Sequence, residues 1–257
     1  MSTPQADHGR LASALPALAE LLQGPLEFAR ESLVLGETVP GALPCRELLR
    51  PEVLREVLNR YATRYPGRNR RAVVSLWTQA YALRLIYPVV AANLALHRQL
   101  PVSIEEACIL LDPQGTPLGF ELPHAGEELA ETSCFGCCAA LLDHHLTPLA
   151  RALAEAGELG ERLFWSNVSV RVAGTIRLLR NVRADMGGEE LLSSRCRPDG
   201  TENPLYRTLQ PRSCELGCTL RRRVCCLRYM LPGLETGCGE SCPMSACDRV
   251  PEKAALN

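Results

Sequence analysis

The residues with the most chemistry to offer are cysteines near the C-terminal end of the chain. Cys225 and Cys226 are adjacent, Cys238 follows after eleven intervening residues and Cys242 after three more, a Cys-Cys-x11-Cys-x3-Cys array. Two compact pairs separated by a loop can converge on one metal centre, and four thiolates suit either a tetrahedral zinc ion or an iron-sulfur cluster. Adjacent residues project their side chains in different directions, which is awkward for one small zinc ion and better matched to a wider Fe2S2 rhomb. The C-x2-C knuckles of zinc modules are missing from this segment. The spacing points to metal binding and leaves both metals open.

The surroundings of these cysteines narrow the function classes. The chain has 257 residues, 13 cysteines, 46% apolar residues and a formal net charge of −1, which argues for a globular protein and against a polybasic nucleic-acid binder. Charge is unevenly spread, because the stretch from Arg195 to Arg228 holds eight arginines against Asp199, Glu202 and Glu215. Met1 to Arg10 lacks the basic start and apolar run of a secretory signal. The most apolar stretch, Ser75 to Leu96, is interrupted by Gln79, Arg84, Pro88 and Asn93, so it offers no clean span of about 20 apolar residues. The expectation is a soluble cytoplasmic protein, where clustered cysteines bind metal or do redox chemistry in preference to forming disulfides.

The elements that must position the cysteines read mainly as helices. Leu11 to Arg64 carries amphipathic helices, with the run Glu47 to Tyr61 bounded by Pro44 and Pro66. Arg71 to Leu100 reads as one or two long apolar helices that Pro88 would kink or split, and it forms the expected centre of the core. Two short apolar runs around Asp112 to Pro117 predict a β-hairpin near 107–122, and helical character returns over Glu131 to Ala156 and Glu161 to Arg183. Past Gly187-Gly188, prolines and glycines punctuate the chain and eight of the 13 cysteines gather. The expected organisation is mainly α: a helical body over 1–187 with a small β-hairpin, then a Cys-rich C-terminal module over 188–257.

Other groups compete for a role. Cys134, Cys137 and Cys138 with Asp143, His144 and His145 have ligand types for a second metal site, but no second cysteine pair completes a knuckle, and packing in an amphipathic helix accounts for them. Cys214 and Cys218 share a face if their stretch is helical, and packing is again the favoured reading. Cys45, Cys108 and Cys196 have no patterned neighbours. Trp77, Tyr81, Tyr87 and Trp165 are read as core, not as a ligand pocket.

The stretch Arg222-Arg223-Val224-Cys225-Cys226-Leu227-Arg228-Tyr229-Met230-Leu231-Pro232-Gly233, continuing to Cys238-Gly239-Glu240-Ser241-Cys242-Pro243-Met244, resembles the C-terminal motif of the FhuF-like siderophore-iron reductases. That family carries a paired-cysteine motif, with an Arg-Tyr and a Leu-Pro inside its long spacer, that holds a [2Fe-2S] cluster. Ser75 to Leu96 and Trp165 to Arg180 are similar to its helical blocks. Each cysteine spacer is one residue longer here than in the family, which makes Cys247 a substitute for Cys238 or Cys242.

The resemblance implies a ferric-siderophore reductase with Cys225, Cys226, Cys238 and Cys242 as cluster ligands. It would pass one electron to siderophore-bound Fe(III) and release Fe(II), with no catalytic residue beyond the cluster and with possible peripheral contact to a siderophore transporter. Arg221, Arg222, Arg223 and Arg228 flank the first ligand pair, where they would stabilise a reduced cluster, attract an anionic partner or simply form a solvated basic face. No Gly-x-Gly-x-x-Gly or P-loop lysine motif is present, so the expected electron source is a separate ferredoxin, flavodoxin or reductase. The rival readings are a zinc-stapled binding protein and a plain iron-sulfur electron carrier.

Overall fold

The computed structural model describes residues 9–130, 133–182, 187–214, 217–234 and 238–244. Its first elements are short helices α1 (Gly9–Ala14) and α2 (Pro16–Leu21), a 3-10 segment Gly24–Ser32, and strands β1 (Leu33–Leu35) and β2 (Leu43–Pro44). Helix α3 (Pro51–Ala62) starts on Pro51, whose missing N–H is no loss in a first turn. It buries Leu54, Val57, Leu58 and Tyr61, one apolar stripe at helical spacing.

Helix α4 (Arg70–Ala95) is the axis of the molecule. Asn69 caps it by accepting a hydrogen bond from the Ala72 N–H at 3.1 Å. Every residue from Leu85 to Ala95 is buried, so this half is enclosed on all sides. The helix passes through Pro88 without a break. The packing of its neighbours outweighs the helix-breaking cost of an internal proline, about 3 kcal/mol. By length and composition α4 could cross a membrane, with mean hydropathy 1.2 over its most apolar window, but 78% of that window is buried inside the protein.

Strands β3 (Arg98–Gln99), β4 (Cys108–Leu111), β5 (Pro117–Leu122) and β6 (Glu127–Glu128) follow. The expected hairpin is present, β4 pairing antiparallel with β5. It is the centre of a larger sheet ordered β1-β5-β4-β2, in which β1 runs parallel to β5 with Leu33 opposite Phe120. Helix α5 (Cys134–Leu141), a π turn over Leu142–Leu146 and helix α6 (Thr147–Glu155) continue the chain, and α7 (Glu161–Val182) packs along α4. Beyond the short helix α8 (Glu190–Ser193), strands β7 (Leu209–Cys214) and β8 (Gly217–Arg222) form a hairpin that lies on α7. The chain is mainly α, as expected.

The core brings the aromatic residues together. Trp77, Tyr81 and Trp165 are almost fully buried, and Phe120 meets Tyr81 edge-on with ring centroids 5.0 Å apart. His145, from the π turn, sits fully buried in this cluster. Its Nδ1–H donates to the Val102 carbonyl at 2.5 Å, and its Nε2 accepts from the Tyr81 hydroxyl at 2.5 Å. Both ring nitrogens are therefore occupied by a neutral imidazole, and burial lowers its pKa to about 4.

Two expectations follow. Gly119 of β5 runs against the backbone of the preceding 3-10 segment, where a Cβ would come within 2.8 Å of the Ser32 carbonyl oxygen. A Gly119→Val substitution should cost about 1–3 kcal/mol by overpacking, seen as a Tm lower by roughly 3–10 °C in thermal unfolding. His145 binds a proton more readily unfolded than folded, so its contribution to stability is complete above about pH 6.5 and disappears as pH falls through about 4. Urea midpoints measured from pH 7 to pH 4 should fall less steeply in His145→Gln than in the parent chain.

Candidate functional site

Helices α4 and α7 are apolar where they meet, except for a few polar side chains that must find partners inside. Asn167 of α7 is fully buried. Its Nδ2 donates to the Ser75 hydroxyl at 3.1 Å and to the Thr78 hydroxyl at 2.8 Å, both on α4. The Ser75 hydroxyl in turn donates to the backbone carbonyl of Cys226 at 2.8 Å. One serine therefore ties the central helix to the main chain of the cysteine pair.

Arg222, the last residue of β8, enters the same interior and is 1% exposed. Its Nη1 donates to Asn167 Oδ1 at 2.6 Å and to the Ser166 carbonyl at 2.9 Å, while its Nε is buried without a partner. The charges that bear on it are the thiols of Cys226 and Cys238, which attract it, and Arg171, which repels it. No carboxylate among the described residues is paired with it. A guanidinium so buried is costly unless an anionic group stands beside it.

The cysteines stand there. Val224, Leu227, Leu231 and Leu234 anchor their segment on the core, the turn Arg228–Met230 packs on α4, and the turn Gly239–Ser241 packs on β8 with Cys238 and Cys242 at its two ends. Cys226 and Cys242 are buried, whereas Cys225 and Cys238 are partly exposed. Leu227 adopts a left-handed backbone, φ 61°, that turns its own N–H toward Cys225 Sγ at 3.4 Å, and the next N–H, of Arg228, toward the Cys226 thiol. Met244 Sδ lies 3.6 Å from Cys225 Sγ.

Electrostatics follow from this packing. A hydrogen bond from the Cys238 thiol draws Cys226 down to about 6 against the opposing effect of burial, with the Arg228 N–H and the Arg222 charge adding to the pull. Cys238 is pushed up by that same bond and by burial, and Cys225 is raised by burial. The bond between the two thiols thus favours the anionic form on Cys226 and the protonated form on Cys238. Cys225 and Cys238 each feel the charges of Cys226 and Cys242. Among the described residues no three His, Cys, Asp or Glu side chains are gathered tightly enough to hold a single metal ion. The set offers four soft sulfur donors for a wider anionic group.

The remaining candidates fall elsewhere. Cys247 lies outside the described residues. Cys214 ends β7 and Cys218 belongs to β8, so their stretch is a hairpin and the shared helical face does not exist. Asp143 is ion-paired with Arg197, His144 is exposed, His145 is engaged in the core and Cys134 bonds Glu190, and among the described residues these side chains form no three-ligand group. A cavity of about 660 Å³, lined by His97, Cys134, Cys137, Glu190, Cys196 and Arg197, opens near Leu94. Measured along α4 it is about 28 Å from Ser75 at 1.5 Å per residue, too remote to share the chemistry of Cys226. Ser75, Asn167 and the particular importance of Arg222 were missed from sequence. The available signal was a buried-looking polar residue within each of two apolar helices.

The family described as ferric iron reductase FhuF-like transporter matches residues 75–216, a span that starts at Ser75, includes Asn167 and stops before Arg222. The ferric siderophore reductase of Escherichia coli (strain K12) is 26% identical over 249 residues, covering 88% of this chain and 90% of that protein. Two structures of aerobactin synthetase IucA from a hypervirulent pathotype of Klebsiella pneumoniae, one of them ATP-bound, superpose with TM-score 0.51 at 15% identity. Each covers 64% of this chain, which spans 37% of the synthetase, and the likeness is one of fold alone. With more than half of its length matched by the family, the chain belongs to the FhuF-like ferric iron reductases.

Proposed function

We propose that the chain reduces siderophore-bound Fe(III) by one electron taken from a [2Fe-2S] cluster held by Cys225, Cys226, Cys238 and Cys242, in the cytoplasm. The observation that carries this reading is the buried Arg222, whose Nε has no partner and whose charge is felt by the thiols of Cys225, Cys226 and Cys238. An anionic sulfur-ligated group would give the orphaned Nε an acceptor and hold negative charge beside the guanidinium. When bound, such a cluster supplies a one-electron reductant.

The protein's own residues do the rest. The buried Cys226 and Cys242 exclude water on the inner side, while Cys225 keeps an outer side through which an electron can leave. The N–H groups of Leu227 and Arg228 stabilise sulfur in its anionic form. No general acid or base is required, because hard oxygen ligands hold Fe(III) far more firmly than Fe(II), and reduction alone loosens the substrate. A ferredoxin, flavodoxin or reductase supplies the electron, and a siderophore transporter at the inner face of the membrane hands over the substrate.

Anaerobically purified chain should be reddish brown and contain about two irons and two acid-labile sulfides. A colourless chain with one zinc would overturn the reading. Cys225→Ser and Cys226→Ser should each lower cluster content and ferric-siderophore reduction by about 10- to 100-fold. NADPH alone should support no turnover, whereas an added one-electron donor should, and reduction of another protein in place of the ferric siderophore would make the chain a carrier.

A further inference from the structure

We infer that Arg222 is the internal counter-charge that sets the reduction potential of the cysteine-bound cluster, and that Asn167 is the positioning residue that holds it in place. The inference rests on the cluster reading above and adds to it which charge tunes the electron and what fixes that charge.

Of the arginines flanking the cysteine pair, Arg223 is exposed and Arg228 is partly exposed, while Arg221 is as buried as Arg222, which is the one bound to Asn167. On α7, Arg177 meets Glu240 at 3.5 Å where both side chains are more than two-thirds exposed. Water and salt screen such charges. Arg222 is enclosed, and its partners Ser166 and Asn167 contribute neutral oxygens that orient it without cancelling it. An added electron makes the cluster more negative, and a fixed cation in a poorly polarisable interior favours that state far more than a solvated one does.

Asn167 determines where the cation sits. Its amide is read from both ends, Oδ1 receiving Arg222 and Nδ2 donating to Ser75 and Thr78. A flipped amide would present NH2 to the guanidinium, so only one orientation is compatible with its neighbours. The contacts close a ring: the Cys226 carbonyl to Ser75, Ser75 to Asn167, Asn167 to Arg222, Arg222 to the Cys238 thiol, and that thiol back to Cys226. The ring explains why α7 carries an asparagine here. A carboxylate of the same shape would neutralise Arg222 and lose the donor that Ser75 and Thr78 require.

The test is the cluster's potential in the full chain, reconstituted anaerobically and titrated by visible spectroscopy, with EPR of the reduced form to show that the cluster is the same. Asn167→Asp and Arg222→Gln should each make reduction at least tenfold less favourable, which is about 59 mV for one electron. Arg222→Lys, which keeps the charge and loses the fork, should shift it less and remain measurable where the glutamine variant does not fold. Arg223→Gln should leave the potential in place. A loaded Asn167→Asp or Arg222→Gln variant at the wild-type potential would overturn the role alone. A wild-type chain that takes up no iron and sulfide would overturn the cluster reading and this role with it.

Discussion

A buried guanidinium held on α7, with no carboxylate paired to it among the described residues, is the constraint on which the site depends. Arg222 could be placed there only with its Nη1 satisfied by Asn167 and Ser166 and with anionic sulfur close at hand. Desolvating such a group costs several kcal/mol, and a chain that retains it must gather the opposite charge around it. Cys226 and Cys238 do so, bonded to each other in a way that favours anionic sulfur on Cys226.

The larger architecture serves the same end. The length of α4 lets one helix carry the core at one end and the polar seam with Asn167 at the other, so the seam inherits the rigidity of the whole body. The four-stranded sheet braces α4 through β5, and α7 closes it from another side. The β7–β8 hairpin then has a firm surface on which to end, and it ends on Arg222. The cysteine segment needs little regular structure of its own because apolar anchors such as Leu231 and the Ser75 bond fix it to this frame.

Much of this was legible in the sequence, and the parts that were not have identifiable causes. The 3.6-residue pattern announces α3, α4 and α7, and the turn cluster at Asp112 to Pro117 announces the β4–β5 hairpin. Strands β1 and β2 are three and two residues long, too short for alternation to register, and only the sheet reveals them. Pro88 suggested a break that the enclosure of α4 overrides. The four cysteines stood out by type and spacing. Arg222 could not be told from Arg221 or Arg223 by composition, since what separates it from its exposed neighbour is burial and contact with residues 55 positions away.

The left-handed turn at Leu227 has a bearing on which sequences this motif can tolerate. A bulky residue adopts that conformation only when its surroundings hold it there. Here the turn aims two successive peptide N–H groups at two successive sulfurs. The two positions after the cysteine pair are therefore governed by their main chain: proline is barred from both, and β-branched side chains are strongly disfavoured at the first. A leucine followed by an arginine can be exchanged for many other residues, but the amide hydrogens they carry cannot.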